Sequence, residues 1–204
     1  SSAGPVMARR ESWSEWTNIS ACLENATQQI RSRTLYDLNN CGGTPQTANA
    51  SQLKVNIGNQ QSGNLASLLA EDGDTLNVFE ANGGVGYDIR INFTTSLNPT
   101  TINTLLKYEN KSEVHAVVLQ LWDYTLSQWV NSSQDIYGDD ILTRYEVYFM
   151  PGNYNNGSHT RARIYHPPEG IPSHKLSIDL FQLSTSTNIT AFEYRFIDCS
   201  PQDT

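Results

Sequence analysis

From about residue 65 onward, apolar and polar residues alternate with a period of two. Tyr87, Ile89, Ile91 and Phe93 alternate with Asp88, Arg90 and Asn92, and Leu76 and Val78 precede them with Phe79 alongside. Tyr145, Val147 and Phe149 form a second such run, Ala162, Ile164 and His166 a third, and Leu176, Ile178 and Leu180 a fourth. This period puts one set of side chains on each face of a strand. The stretch Val114–Trp122 is denser in apolar residues and predicts a central strand buried on both faces. Asp72-Gly73-Asp74, Asn82-Gly83-Gly84, Pro151-Gly152-Asn153 and Pro167-Pro168 supply the breaks. Short strands at this spacing, with no long helical period, predict an all-β, antiparallel β-sandwich, jelly-roll-like. A short helical stretch at 65–71 or 98–105 is compatible with it.

The chain divides by pattern into an extended arm (1–12), a Trp-, Arg- and Cys-bearing β segment (13–43), a polar linker or surface strand (44–64), the sandwich (65–188) and a terminal strand (189–204). The terminal strand follows a Ser/Thr/Asn linker and carries Phe192, Tyr194 and Phe196 on one face. A strand needs an edge to pair with. If that edge belongs to a neighbouring copy, the contact is β-augmentation, and a head-to-tail contact of this kind builds a filament.

Composition sharpens this picture. The 204 residues carry a net charge of −8 and only 17% charged residues. Polarity therefore comes from hydroxyls and amides, and nucleic acid is excluded as a partner for want of clustered Lys and Arg. No apolar run is long enough to span a membrane. Asn-x-Ser/Thr occurs eight times, at Asn18, Asn25, Asn49, Asn92, Asn110, Asn131, Asn156 and Asn188. This excess, with a start at Ser1 that shows no leader, predicts a mature, secreted, extracellular chain bearing N-linked glycans. Cys22, Cys41 and Cys199 are odd in number. Cys22 with Cys41 closes a short loop worth roughly 3 kcal/mol in the chain-entropy model and leaves Cys199 free or intersubunit; Cys41 with Cys199 is the alternative.

Trp13-Ser14-Glu15-Trp16, Arg31-Ser32-Arg33-Thr34 and Cys41-Gly42-Gly43 together resemble a thrombospondin type-1 repeat. The resemblance implies a ladder in which Trp13 and Trp16 interleave with Arg31 and Arg33, and C-mannose on Trp13. The segment has two cysteines where that family usually has six. The larger part is similar to secreted β-sandwich modules of the carbohydrate-binding type, on Glu71-Asp72-Gly73-Asp74, the strand Tyr87–Phe93, Leu121-Trp122-Asp123-Tyr124 with Trp129, and Arg163-Ile164-Tyr165-His166. In overall character the chain resembles subunits of glycosylated extracellular fibrils that polymerise by strand donation.

No nucleophile elbow, HExxH, P-loop or dinucleotide fingerprint occurs, so no enzyme activity is expected. Gly83-Gly84-Val85-Gly86 reads as a loop between strands. His159, His166 and His174 lie near one another in sequence, but on alternating strands they read as hydrogen-bonded core or surface groups, not metal ligands. Asp72 and Asp74 offer two of the six to eight oxygens a structural Ca²⁺ takes. Trp122, Tyr124 and Trp129 offer a sugar-stacking platform, with Trp122 as core and Trp129 as a hairpin contact the competing reading. These features predict a non-enzymatic subunit of an extracellular filament or coat, a homopolymer assembled by strand exchange. A monomeric carbohydrate-binding or adhesion module is the alternative, and a polysaccharide-active enzyme the third.

Overall fold

In the computed structural model, residues 45–109 and 115–185 are described in full, apart from the side chain at 139; strands 11–13, 17–18, 28–37 and 189–196 are described by their backbone. The chain forms two compact units, Gln46–Thr185 and the pair of segments Ser1–Pro45 and Ser186–Thr204.

In the smaller unit, β1 (Glu11–Trp13) and β2 (Thr17–Asn18) both pair with β3 (Gln28–Asp37). Its last strand, Ile189–Phe196, pairs antiparallel with β3 along its whole length, from Ile189 opposite Leu35 to Phe196 opposite Gln28. Of the two pairings open to this strand, its own edge or a neighbour's, the structure has the one within the chain. The edge that the terminal strand needs lies in its own chain, so pairing with another copy is not required to satisfy its backbone. The side chains of Phe192, Tyr194 and Phe196, the Trp13, Trp16, Arg31 and Arg33 ladder, and Cys22, Cys41 and Cys199 lie outside the described residues.

The larger unit is an antiparallel β-sandwich. Its strands are β4 (Thr47–Asn49), β5 (Gln52–Ile57), β6 (Asn59–Ser62), β7 (Leu76–Phe79), β8 (Val85–Thr94), β9 (Thr101–Glu109), β10 (Ala116–Asp123), β11 (Gln128–Tyr137), β12 (Asp139–Tyr148), β13 (His159–Pro168) and β14 (Lys175–Ser184). The terminal strand of the smaller unit is then β15. One sheet has the order β11-β10-β13-β8-β5, the other β12-β9-β14-β7-β6 with β4 on β14. Residues 44–64, read as linker or surface strand, supply β4 to β6. Of the two helical possibilities, one is a single 3₁₀ turn at Leu65–Leu68, capped by Asn64, and the other is strand β9.

The core follows the alternation. Ile89, Ile91, Phe93, Leu119, Leu121 and Ile164 of one sheet face Leu76, Val78, Ile102, Leu106, Leu176 and Ile178 of the other, all fully buried. Each is worth about 1.5–3 kcal/mol of burial. Phe93 meets Phe181 across the interlayer space at 6.3 Å between ring centres. Phe181 reaches the core because β14 carries an irregularity between Ile178 and Leu180 that shifts the inward parity by one. At that point Asp179 is buried, and its carboxylate accepts the backbone N–H groups of Asp72 and Gly73. Strand β10 presents one face to the core; its other face, which the sequence suggested was buried too, carries half-buried Val118 and Trp122.

Candidate functional sites

Two places on the sandwich gather chemistry. The first is the outer face of the five-stranded sheet. Trp122 and Trp129 are direct cross-strand partners on β10 and β11, with ring centres 5.4 Å apart at 75°. Both are half-buried, so Trp122 is not a core residue. One step along, Asn131, Gln120, Arg163 and Arg90 stand opposite one another across β11, β10, β13 and β8. Gln120 Nε2 donates to Asn131 Oδ1 at 2.6 Å, and Arg163 Nε donates to Gln120 Oε1 at 2.6 Å. The Arg163 guanidinium lies between two rings, 4.6 Å from the centre of Trp129 and 4.4 Å from that of Tyr165. Burial pulls the Arg163 guanidinium below its ordinary value, opposed by the Asp88 carboxylate; Asp88 is held by Arg90 at 2.9 Å. Arg163 thus forms a layered cation–π arrangement with Trp129 and Tyr165 on the sandwich. Tyr124, grouped with the two tryptophans by sequence, sits in the turn after β10 with the Arg161 guanidinium 6.0 Å from its ring centre.

The second place is one end of the core, where four strands deliver polar groups in core parity. Glu80 follows Leu76 and Val78, His115 precedes Val117, His166 follows Ala162 and Ile164, and His174 precedes Leu176. Glu80 is 0% exposed, His166 3% and His174 2%. Oε1 of Glu80 accepts the Tyr108 hydroxyl and Oε2 accepts the backbone N–H of Ile171 at 2.6 Å. His174 Nδ1 lies 3.5 Å and His166 Nε2 4.0 Å from Glu80 Oε1. The His115 ring stacks on His166 at 5.1 Å and meets His174 edge-on at 5.0 Å. Neither His166 Nδ1 nor His174 Nδ1 makes a hydrogen bond of good geometry. Burial holds the His166 imidazolium below its ordinary pKa, against the pull of the Glu80 charge and with the push of His115. Burial, then the hydrogen bond to Glu80, raises the Tyr108 phenol far above its usual range.

The turns that carry these groups are knitted together. Gly83 N–H donates to Gly170 O, the N–H groups of Glu169 and Gly170 donate to Gly84 O, and Ala81 N–H donates to Gly86 O. The glycine cluster 83–86 is therefore a strand-to-strand turn that leaves room for the polar end of the core. A Cβ on Gly86 would stand 2.7 Å from His166 Nδ1 and 3.1 Å from Glu80 Cδ. Beside the cluster lies a cavity of about 400 Å³ lined by His115, His166, Asp135, Tyr137 and Glu169 among others.

The histidine grouping read from sequence is corrected in one member. His159 is exposed at the other end of β13, with its ring 2.7 Å from Ser158 Oγ, and His115 takes its place beside His166 and His174. Asp72 and Asp74 are exposed, and their carboxylates serve the turn: Asp72 Oδ1 accepts Asp74 N–H and Asp74 Oδ2 accepts the Ser67 hydroxyl. Among the sequons, Asn49 and Asn156 are exposed, Asn92 and Asn131 lie on the outer face of the five-stranded sheet, Asn18 is described by backbone alone, and Asn25, Asn110 and Asn188 lie outside the described residues.

No protein-family model and no curated protein matches the chain. Among solved structures, similarity extends to a family 29 carbohydrate-binding module complexed with mannohexaose, at 14% identity over 67% of this chain and 92% of that one, TM-score 0.42. A family 29 module from Piromyces equi follows at 12% identity, 70% and 91% coverage and TM-score 0.41. A third module, TmCBM61 in complex with beta-1,4-galactotriose, gives 11%, 69%, 88% and 0.37. Among the described residues, no helix is long and apolar enough to cross a membrane.

Proposed function

We propose that the chain is a secreted, N-glycosylated carbohydrate-binding or adhesion module that takes a neutral saccharide on the outer face of its five-stranded sheet. The observation that carries this reading is the Trp122–Trp129 pair set beside the hydrogen-bonded row Asn131–Gln120–Arg163. Sugar recognition needs an apolar ring for the C–H face of the pyranose and planar polar groups for its hydroxyls. The two tryptophans offer the first; the amides of Gln120 and Asn131 and the guanidinium of Arg163 offer the second. Arg163 is pinned between Trp129 and Tyr165, so its donors are oriented before a ligand arrives. The net charge of −8 suits a neutral ligand over an acidic polysaccharide. Self-assembly by strand exchange loses its motive once β15 is paired within its own chain.

The test is a glycan array of neutral and acidic saccharides probed with the wild type and with Trp129→Ala. Binding to neutral glycans that vanishes in the variant, with unchanged thermal stability of the sandwich, supports the platform. Binding that survives in the variant removes it.

A further inference from the structure

We propose that Glu80, His115 and His166 bind one divalent first-row transition-metal ion, of the zinc class, at the end of the sandwich core, with His174 closing the site's fourth side. This site is separate from the sugar platform and does not rest on that reading.

The chain has four histidines, and three of them converge on one buried carboxylate. One ligand atom from each of Glu80, His115 and His166 lies within 4.8 Å of the others. Tetrahedral bonds of about 2.0–2.1 Å place ligand atoms about 3.3 Å apart, so small side-chain rotations bring the set onto an ion. Two imidazoles and one carboxylate form a ligand set that suits zinc and its first-row neighbours. Calcium, which takes six to eight oxygens, has one carboxylate here and is excluded by donor type.

The carboxylate is already oriented. The Tyr108 hydroxyl and the Ile171 N–H each hold one of its oxygens, which is the outer support that metal-ligating carboxylates show. The cluster also lacks what a purely structural polar cluster would have. Buried side-chain nitrogens normally find well-aligned hydrogen-bond partners, yet Nδ1 of His166, a residue 3% exposed, makes no hydrogen bond of good geometry, and Nδ1 of His174, 2% exposed, reaches only Glu80 Oε1, at 3.5 Å. Glu80 is fully buried with no Lys or Arg beside it among the described residues. A divalent cation supplies the positive partner that a ligating Glu80 would otherwise lack. The adjoining cavity, which His115 and His166 line, gives the ion an entry path and a place for a bound water.

The experiment uses the full chain, stripped with chelator and titrated with Zn²⁺ and with Co²⁺, read by calorimetry and by the cobalt absorption spectrum. One ion per chain at micromolar affinity or tighter, with a tetrahedral or five-coordinate cobalt spectrum and no response to Ca²⁺, is the expected result. His166→Ala and His115→Ala each abolish the spectrum, and Tyr108→Phe, which keeps every ligand, weakens binding about 10–100-fold. His159→Ala changes nothing. Absence of one-to-one binding in the wild type overturns the proposal whether or not any variant folds, and so does a loss on His159→Ala equal to that on His166→Ala.

Discussion

The guanidinium of Arg163 lies over the ring of Trp129, 4.6 Å from its centre, while its Nε donates to Gln120. One planar group thus serves an aromatic stack and an amide row together. Lysine keeps the charge but has neither the plane nor the fork. Arg163→Lys is expected to lower glycan affinity about tenfold, equivalent to about 1.4 kcal/mol, and to leave the core intact. Titration of the variant against the strongest array ligand checks this; unchanged affinity would detach Arg163 from the platform.

Gly86 is required for a reason of space. Its hydrogen faces His166 and Glu80, both locked in the core end, where a methyl group would stand 2.7 Å from His166 Nδ1. Gly86→Ala is expected to cost about 1–3 kcal/mol, the usual range for overpacking. Gly84→Ala, whose Cβ meets nothing within 4 Å, is the control and should cost much less. Urea unfolding of the two variants side by side measures the difference.

Asp123 ends β10 and collects backbone donors. Its carboxyl is held below the ordinary carboxylate range chiefly by the N–H of Leu126, with the N–H groups of Asn153 and Thr125 adding and burial opposing. A folded-state value below the unfolded value of about 3.9 means that the stabilisation is present above that pH and is lost as pH falls through the folded value. The melting temperature of the wild type should therefore exceed that of Asp123→Asn at pH 6, and the gap should close below about pH 4. A gap that stays constant across this range contradicts the assignment.

Asn131 is both a sequon and a member of the platform row, its Oδ1 accepting from Gln120. A glycan is attached through the other amide atom, so the hydrogen bond can persist while the sugar stands beside Trp129. Protein glycosylated at Asn131 is expected to bind external saccharide more weakly than protein from which the glycan has been removed. Peptide mapping by mass spectrometry gives the occupancy, and array binding before and after enzymatic deglycosylation gives the effect.

Strand β15 covers one edge of β3. The chain of residues 1–204 is expected to sediment as a monomer, and removal of residues 189–204 to expose the long edge of β3 and promote self-association. Sedimentation velocity on both forms decides this. Polymers of the intact chain that disappear on truncation would restore the filament.

Much of the sandwich was legible because alternation survives along β8, β13 and the first half of β14. Strand β9 was not, since Thr101, Thr104 and Leu105 are buried together with Ile102 and Leu106 and no clean period of two remains. The second half of β14 was hidden by the irregularity after Ile178, which no composition rule announces. Trp122 and Trp129 were readable as a pair because a short turn separates them. The histidine cluster was missed because nearness in sequence favoured His159 over His115, which comes from a distant strand. A signal was nevertheless present: Glu80, His115, His166 and His174 each continue the inward parity of a core strand, where an apolar residue is the norm. Polar residues found at inward positions near the ends of several strands are the pattern to look for.

The smaller unit is built from both ends of the chain, with the whole sandwich inserted between β3 and β15. During synthesis, β3 emerges before the sandwich and waits for its neighbour until β15 has been made, by which time every strand of the sandwich has left the ribosome. A chain broken off before β15 would therefore carry a finished sandwich beside an open, adhesive edge.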